Sequence, residues 1–539
     1  MLEDNPLLSR IVSRFHIIVA SVVALAGAAV FGIAAGSGDF YNIYVGLFVC
    51  GFISIMLALG EKYWLVIPFA FTAELPAIPI KGRMLDLPEI VAVLATLVFL
   101  IRYAVKRQTF TLFRTEHAPF LLFTGWAVLI FILNPVGLSD AGAALGGARF
   151  YAKILLALAA FIVMANQEIS DQDCKWIFIL LLVGAFLESA YKIAAYFQLF
   201  GMTTDISSAP DPDDFYSWHQ ALAHVPILLI SLGFARYRAS ELFSLNRLWA
   251  VFLFGICVIT VALSGKRAAL ASIPIIAIVA AVMRREWAFL MFWLSGAIIA
   301  GGIVVIGHGE LFHLPLTVQR AMSALPARWD SELGYMEGGQ DLFRAELRRM
   351  AIKKIEKDPW VGTGYQVDLS LAQTLALQYA SRGGDTELQV TPFAMGSAWH
   401  NTWLGYAADF GIPASVCAAF IYFFVLKLSY RTTLALPRGS MRATLTSYFF
   451  LTTFTALLRS YTSGHSAEDA FGRWWSYGAL ISLWLSYNRS AASKASDITS
   501  PSVGGLGGFA GASLPAAPFS SARPRDTRGG TLVGGSSRR

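Results

Sequence analysis

Runs of roughly twenty mostly apolar residues recur along this 539-residue chain, and no other feature limits its fold so strongly. A helix rises about 1.5 Å per residue and the hydrocarbon core of a bilayer is about 30 Å thick, so each run is the length of a membrane-spanning helix. Inside hydrocarbon the backbone must satisfy its own hydrogen bonds, which makes helices the spanning form for runs of this length. The sequence predicts about fourteen spans by this criterion. They lie near residues 15–36, 40–59, 62–80, 87–105, 118–134, 150–166, 175–198, 219–235, 248–264, 268–283, 287–307, 399–426, 443–459 and 474–488. The third holds Glu74, Pro76 and Pro79, which disfavour a continuous helix. The expected architecture is an all-α, polytopic transmembrane helical bundle of about 12–14 spans. A composition of 56% hydrophobic and only 14% charged residues excludes a soluble globular protein of this length.

The formal net charge of +7 does not point to nucleic acid, because the basic residues sit in small groups between apolar runs and form no stripe. The four cysteines, Cys50, Cys174, Cys257 and Cys417, share no metal-ligand spacing and lie in or beside apolar segments, so neither a disulfide framework nor a cysteine metal site is expected. The run from Phe15 is too long for a signal-peptide core and follows Glu3, Asp4, Arg10 and Arg14, a flank without net positive charge; it reads as the first span. Short cytoplasmic loops carry the Lys/Arg excess. Placing the N-terminus inside puts Arg102, Lys106, Arg107 and Arg114 in one inner loop and Arg236, Arg238 and Arg247 in another. Arg284, Arg285, Lys427, Arg431, Arg438 and Arg442 also fall inside.

The same topology leaves residues 308–398 outside as a single long loop, of the size that is usually functional or separately folded. Within it, Gln340 to Asp358 carries Leu342, Leu347, Ile352 and Ile355 among charges, the pattern of an amphipathic helix, stopped by Asp358-Pro359 with Gly362 and Gly364. The organisation is then 1–244, N-terminal spans; 245–426, a core that includes the outer loop; 427–489, C-terminal spans; and 490–539, a Gly/Ser/Pro/Ala-rich tail that reads as disordered and cytoplasmic.

Three outer features carry candidate chemistry. Lys266 and Arg267 break the positive-inside pattern at the junction of two spans; they either snorkel to an interface or hold an anionic ligand. Trp399-His400-Asn401-Thr402-Trp403-Leu404 stands where the long loop re-enters the membrane. His400 can take a proton from a hydroxyl and Asn401 can orient an acceptor, although a single interfacial histidine is more often structural. The loop helix bears Arg344, Arg348 and Arg349, and a guanidinium fork suits phosphate oxygens; a solvated charged face is preferred for Arg348, Arg349, Lys353 and Lys354. The last outer loop adds Arg459, Tyr461, His465, Glu468, Asp469 and Arg473, or is an ordinary polar turn. Within spans, Glu188 and Lys192 are four apart on one helix face and read as a structural pair rather than a proton path. Arg149 and Lys153 add only weakly to a phosphate site.

In order, the three features resemble the O-antigen ligase/polymerase family of bacterial membrane glycosyltransferases. Ser264, Gly265, Arg267, Ala269 and Leu270 match its Ser-Gly-x-Arg-x-Ala-Leu-type turn. Arg344 stands fifteen residues before Pro359, and Gly362-Thr363-Gly364 completes its Pro-x-x-Gly-x-Gly. His400-Asn401-Thr402-Trp403-Leu404 with Asp409-Phe410-Gly411-Ile412 matches its third motif. The resemblance covers roughly residues 245–426. Lys266 replaces a commonly small residue, Arg348 a commonly aromatic one, and the expected spans outnumber those usual in the family.

The resemblance implies transfer of a glycan from undecaprenyl pyrophosphate to an acceptor hydroxyl on the periplasmic side of the inner membrane, with inversion, without a metal, a cofactor or a nucleotide sugar. His400 and Arg267 would be catalytic; Arg344, Lys266, Asn401 and Arg459 would bind substrate. A second lipid-linked repeat unit as acceptor makes a polymerase, which a chain-length regulator would accompany; lipid A core makes a ligase. A transporter or lipid-glycan flippase is the reading from a different class, against which the single long outer loop and the lack of internal repeats stand.

Overall fold

The computed structural model describes residues 51–52, 54–56, 58–73, 78–80, 83–105, 110–135, 148–197, 221–365, 399, 401–462 and 471–499. The first expected span, His400, most of the outer loop beyond Tyr365 and the tail after Thr499 lie outside them. The chain divides into two units, Met1–Arg489 and Ser490–Arg539; of the second, the described part is helical.

The segment from 62 to 80 is not a span. A 3-10 helix, Gly60–Leu65, leads into a five-residue helix α1, Val66–Ala70, and then to a hairpin of β1, Ile78–Ile80, and β2, Arg83–Leu85, paired antiparallel with Ile78 opposite Leu85. Five helical residues rise about 7.5 Å, far less than the membrane core. The two prolines, Pro76 and Pro79, lack the N–H that would extend a helix. Among the described residues this hairpin is the one departure from an all-helical architecture.

After the hairpin come α2, Leu87–Ala104; α3, Ala118–Leu133; α4, Ala148–Ala165; α5, Asp171–Tyr196; and α6, His224–Arg236. Then follow α7, Leu248–Leu263; α8, Arg267–Arg284; α9, Trp287–Gly307; α10, Leu316–Met322; α11, Ser331–Lys357; α12, Thr402–Ala435; α13, Met441–Thr462; and α14, Trp474–Thr499. Helix starts follow local chemistry. In α2, Pro88 occupies the first turn and the Asp86 N–H donates to Glu89 Oε2 at 2.9 Å, satisfying a donor that the helix leaves open.

Seven of the described helices are long and apolar enough to cross a membrane: α2 to α5, α8, α9 and α12, α3 being counted from Thr115; α6 and α7 are shorter apolar helices. The most apolar, α9, has a mean hydropathy of 2.3 and, Gly307 at its end apart, buries none of its residues in the protein, the state of a helix facing lipid. By contrast α13 buries Thr444, Thr446, Ser447, Thr453 and Thr455. Thr455 returns its hydroxyl to Leu451 O at 2.8 Å, which lets a polar helix face stand inside the bundle.

The larger core joins residues of α2 to α5 to residues of α12, α13 and α14; a second joins α6, α7 and α8 around Phe234, Val261 and Ile273. Loops at one end are tied by Lys62 to Asp173 at 2.6 Å, Arg102 to Glu61 at 3.3 Å and the Arg442 N–H to Asp171 at 2.9 Å. Arg236 bonds the Gly439 carbonyl and Arg284 the Tyr237 carbonyl there. Three of the basic residues expected in the inner loops, Arg102, Arg236 and Arg284, therefore tie loops together through their side chains.

Candidate functional site

The site grows from a break in α12. Gly411 (φ 81°, ψ 164°) interrupts the helix, and Pro413 two residues later has no N–H. An intact helix would bond the Asp409 carbonyl to residue 413 and the Ala408 carbonyl to the Ile412 N–H. Both carbonyls are instead taken by the segment after the loop helix. The Gly364 N–H donates to Asp409 O at 2.9 Å and the Thr363 N–H to Ala408 O at 3.1 Å, while the Ile412 N–H turns to Pro359 O at 2.8 Å. Trp126 Nε1 on α3 donates to the Phe410 carbonyl at 2.7 Å. Groups freed by the break are thereby re-satisfied, as a buried backbone in a membrane protein requires.

The glycines of the two motifs interlock. A Cβ on Gly362 (φ 71°) would lie 2.5 Å from Gly411 N, and one on Gly411 would lie 2.1 Å from Trp360 O. Two backbones can approach this closely only where neither carries a side chain. Tyr365 completes the attachment: its ring stacks on Phe150 at 3.7 Å and its N–H donates to the Tyr151 hydroxyl at 3.0 Å.

The docking fixes α11 against the start of α12. The expected amphipathic helix is present and longer than predicted. Leu347 and Ala351 are fully buried against Trp399 and Ala408, with Met350, Ile355 and Leu404 around them. Ile352, expected on the apolar face, is exposed. Arg344, Leu347, Ala351 and Lys354 are spaced three, four and three apart and so share the packed face. Lys354, expected in solvent, reaches the buried Asp409 at 3.3 Å and lies 4.9 Å from the Trp399 ring centre. Trp399 Nε1 donates to both Asp409 oxygens at 3.3 and 3.2 Å. A carboxylate in the first part of an apolar span was the available sequence signal for this cluster; its partners come from 55 and 10 residues away and carry no spacing rule. Arg348 is exposed, and Arg349 pairs with Glu346. Hydrogen bonding from Arg349 holds the Glu346 carboxyl below its ordinary range.

Asn401 caps α12. Its Oδ1 accepts from the Trp403 and Leu404 N–H groups, both at 3.1 Å, and its Nδ2 donates at 3.4 Å to the Tyr461 carbonyl near the end of α13. The helix start is thus tied to the turn of α13 that carries Arg459. Arg459 lines a cavity of about 220 Å³ whose walls also include Ser231, Ile276, Thr452, Arg473 and Ser476.

Lys266 and Arg267 sit on the turn between α7 and α8, as the sequence implied. Ser264 is buried, donates to Val261 O at 2.6 Å and accepts from the Lys266 N–H at 3.3 Å; Gly265 takes φ 67°. Those two residues make a three-residue reversal possible, and Arg267 becomes the first residue of α8. Its Nη1 donates to Ser323 Oγ at 3.4 Å at the end of α10, a short helix that packs on α7, α8 and α11. The arginine turn and the loop helix therefore share α10 as a neighbour. Placement of His400 lies outside the described residues, although Trp399 and Asn401 on either side of it are both held.

Two charged groups resolve as structural. Arg149 is buried and bidentate on Glu89, both bonds at 3.0 Å, and also meets Asp86 at 3.0 Å, which Lys153 shares at 3.0 Å. These carboxylates occupy the pair that was expected to add weakly to a phosphate site. Glu188 meets Lys192 at 2.5 Å and also His224 at 2.9 Å, a partner from the next helix that sequence spacing had not indicated.

A bundle of apolar helices with a loop helix docked on it defines the class: a polytopic helical membrane protein. A family model described as O-antigen ligase matches residues 252–419, the stretch from α7 into α12 that contains the turn, the loop helix and the interlock. The match supports assignment to the O-antigen ligase/polymerase family and a glycosyltransferase-type role in polysaccharide biosynthesis at a membrane. No curated protein matches the chain significantly.

Proposed function

We propose that this chain is a surface-polysaccharide polymerase that transfers a glycan from undecaprenyl pyrophosphate to the hydroxyl of another lipid-linked repeat unit at the periplasmic face of the inner membrane. The observation that carries the reading is the backbone interlock of Gly362 and Gly411. It sets the Arg344 helix against Trp399 and the start of α12, with the Arg267 turn braced through α10. Prenyl tails stay in lipid while their head groups meet this end of the bundle.

In the proposed reaction His400 accepts the proton of the acceptor hydroxyl as its oxygen bonds the anomeric carbon. The bond from that carbon to the pyrophosphate oxygen breaks, its electron pair leaves with undecaprenyl pyrophosphate, and attack from the opposite face inverts the centre. Arg267 and Arg344 hold the pyrophosphate and stabilise the charge developing on it, with Lys266 and Arg459 adding positive potential. No metal ion takes part in these steps. The description of the matched family favours a second reading, a ligase acting on lipid A core.

Purified protein incubated with the native lipid-linked oligosaccharide, with and without lipid A core, separates the two on a gel. A ladder formed without core and abolished by His400→Ala supports the polymerase. Transfer only when core is present replaces it with the ligase. Full activity in His400→Ala removes the base assignment, and full activity in Arg267→Lys removes bidentate phosphate binding. No transfer with native glycan, together with flipping of the lipid, would make the chain a transporter.

A further inference from the structure

At the point where the chain leaves α9 for the outer loop, His308, His313 and Asp330 come together, with one ligand atom from each within 4.8 Å of the others. Local backbone geometry sets the two histidines. Gly307 accepts the Leu311 and Phe312 N–H groups at 2.8 and 3.1 Å, Gly309 takes φ 87° and its N–H returns to Phe312 O at 3.0 Å. This hydrogen-bonded turn folds residue 313 back beside residue 308, and the two imidazoles lie 5.5 Å apart. His308 is buried; His313 and Asp330 are exposed, so an ion can enter from water.

The surroundings hold the third ligand in place. Gln319, itself buried, donates from Nε2 to Asp330 Oδ2 at 2.7 Å and to the Leu314 carbonyl at 2.8 Å, and its Oε1 accepts the Asp330 N–H at 3.1 Å. One side chain thus clamps the residue after His313 to the carboxylate, the outer support that metal ligands generally have. The Leu314 N–H meets His308 Nδ1 at 3.3 Å, while Nε2 is buried with no hydrogen-bond partner. Because Nδ1 accepts that bond, the ring proton sits on Nε2, and a metal would take the Nδ1 lone pair in place of the long Leu314 bond.

We propose that His308, His313 and Asp330 bind a divalent zinc ion that pins the end of α9 to the start of α11. Two imidazoles and a carboxylate are a borderline-soft donor set suited to zinc, with water completing a tetrahedron. Bonds of about 2.0–2.2 Å put tetrahedral ligands roughly 3.4 Å apart, a closure the two exposed side chains make by rotation. Asp330 precedes α11 and Gln319 lies within α10, so the ion braces the helix against which Arg267 rests. Its part is structural, separate from the glycosyl-transfer reading, and stands or falls independently of it.

The test uses the full-length protein in detergent, stripped with chelator and titrated with zinc chloride against a competing zinc dye, with thermal unfolding followed in parallel. One zinc per chain, an apparent affinity at least tenfold weaker in His313→Ala and in Asp330→Asn, and a zinc-dependent rise in melting temperature confined to the parent protein are expected. Both variants change exposed side chains, so their folding can be confirmed by their zinc-free melting curves. Equal zinc binding in the variants, no binding in the parent, or equal stabilisation by magnesium would overturn the site.

Discussion

Replacing Gly411 with alanine tests the interlock directly. Its φ of 81° and ψ of 164° lie in a region essentially reserved for glycine, where a side chain costs about 1–3 kcal/mol. The new Cβ would also sit 2.1 Å from the Trp360 carbonyl oxygen, so the loop must withdraw. Withdrawal breaks three backbone bonds, Gly364 to Asp409, Thr363 to Ala408 and Ile412 to Pro359, each worth about 0.5–1.5 kcal/mol net. Together these give about 2.5–7.5 kcal/mol against the docked state. At about 1.4 kcal/mol per decade, transfer should fall by roughly two orders of magnitude or more. Gly439 is the control. It also has a left-handed φ, 83°, but nothing lies within 4 Å of its added Cβ, so Gly439→Ala should carry the backbone strain and leave transfer intact. The assay is glycan transfer normalised to folded protein, with trypsin cleavage at the exposed Arg348 as a reporter of loop release. Parent-like activity and parent-like cleavage in Gly411→Ala would show that the two motifs do not depend on this contact.

Three further outcomes follow from the packing. Arg149→Met should destabilise the protein in detergent by about 3–5 kcal/mol by stranding the buried Glu89, and Arg149→Met with Glu89→Met should recover most of it; a double variant no more stable than the single would contradict the pair. Asp409→Ala should lower the melting temperature more than Lys354→Met, because it leaves Trp399 Nε1 and a half-buried ammonium without an acceptor; the reverse order would place the carboxylate's main role elsewhere. Asn401→Ala should cost about 1 kcal/mol through the lost helix cap, whereas Asn401→Asp keeps a capping oxygen and sets a negative charge beside the proposed pyrophosphate. Folding near that of the parent with reduced transfer is expected for the aspartate, and unchanged transfer would confine Asn401 to capping.

Much of this was legible in the residues, and the reasons differ from place to place. Apolar length marks α2 to α5, α8, α9 and α12 because a bilayer imposes a thickness that one segment must meet by itself. The Ser264-Gly265 reversal and the Asn401 cap are likewise local, being set within a few residues. The broken third segment lay nearer the limit: the prolines signalled an interruption, but not the hairpin that replaces the helix. Threonine-rich α13 was expected as a span, and its polarity makes sense only once its buried face is known to pack against protein.

Sequence alone, then, determined that the chain is a membrane bundle with arginines and a glycine motif on one long loop, since hydropathy and local turn chemistry act over short distances. Only the tertiary structure decided what the glycines are for. Carbonyls freed at Gly411 and Pro413 need donors, and those donors come from nearly fifty residues earlier, where two backbones meet without side chains. It likewise moved Lys354 from solvent onto Asp409 and gave Arg149 to Glu89. Charge pairing depends on which helices become neighbours, and neighbours are chosen by packing across the whole bundle.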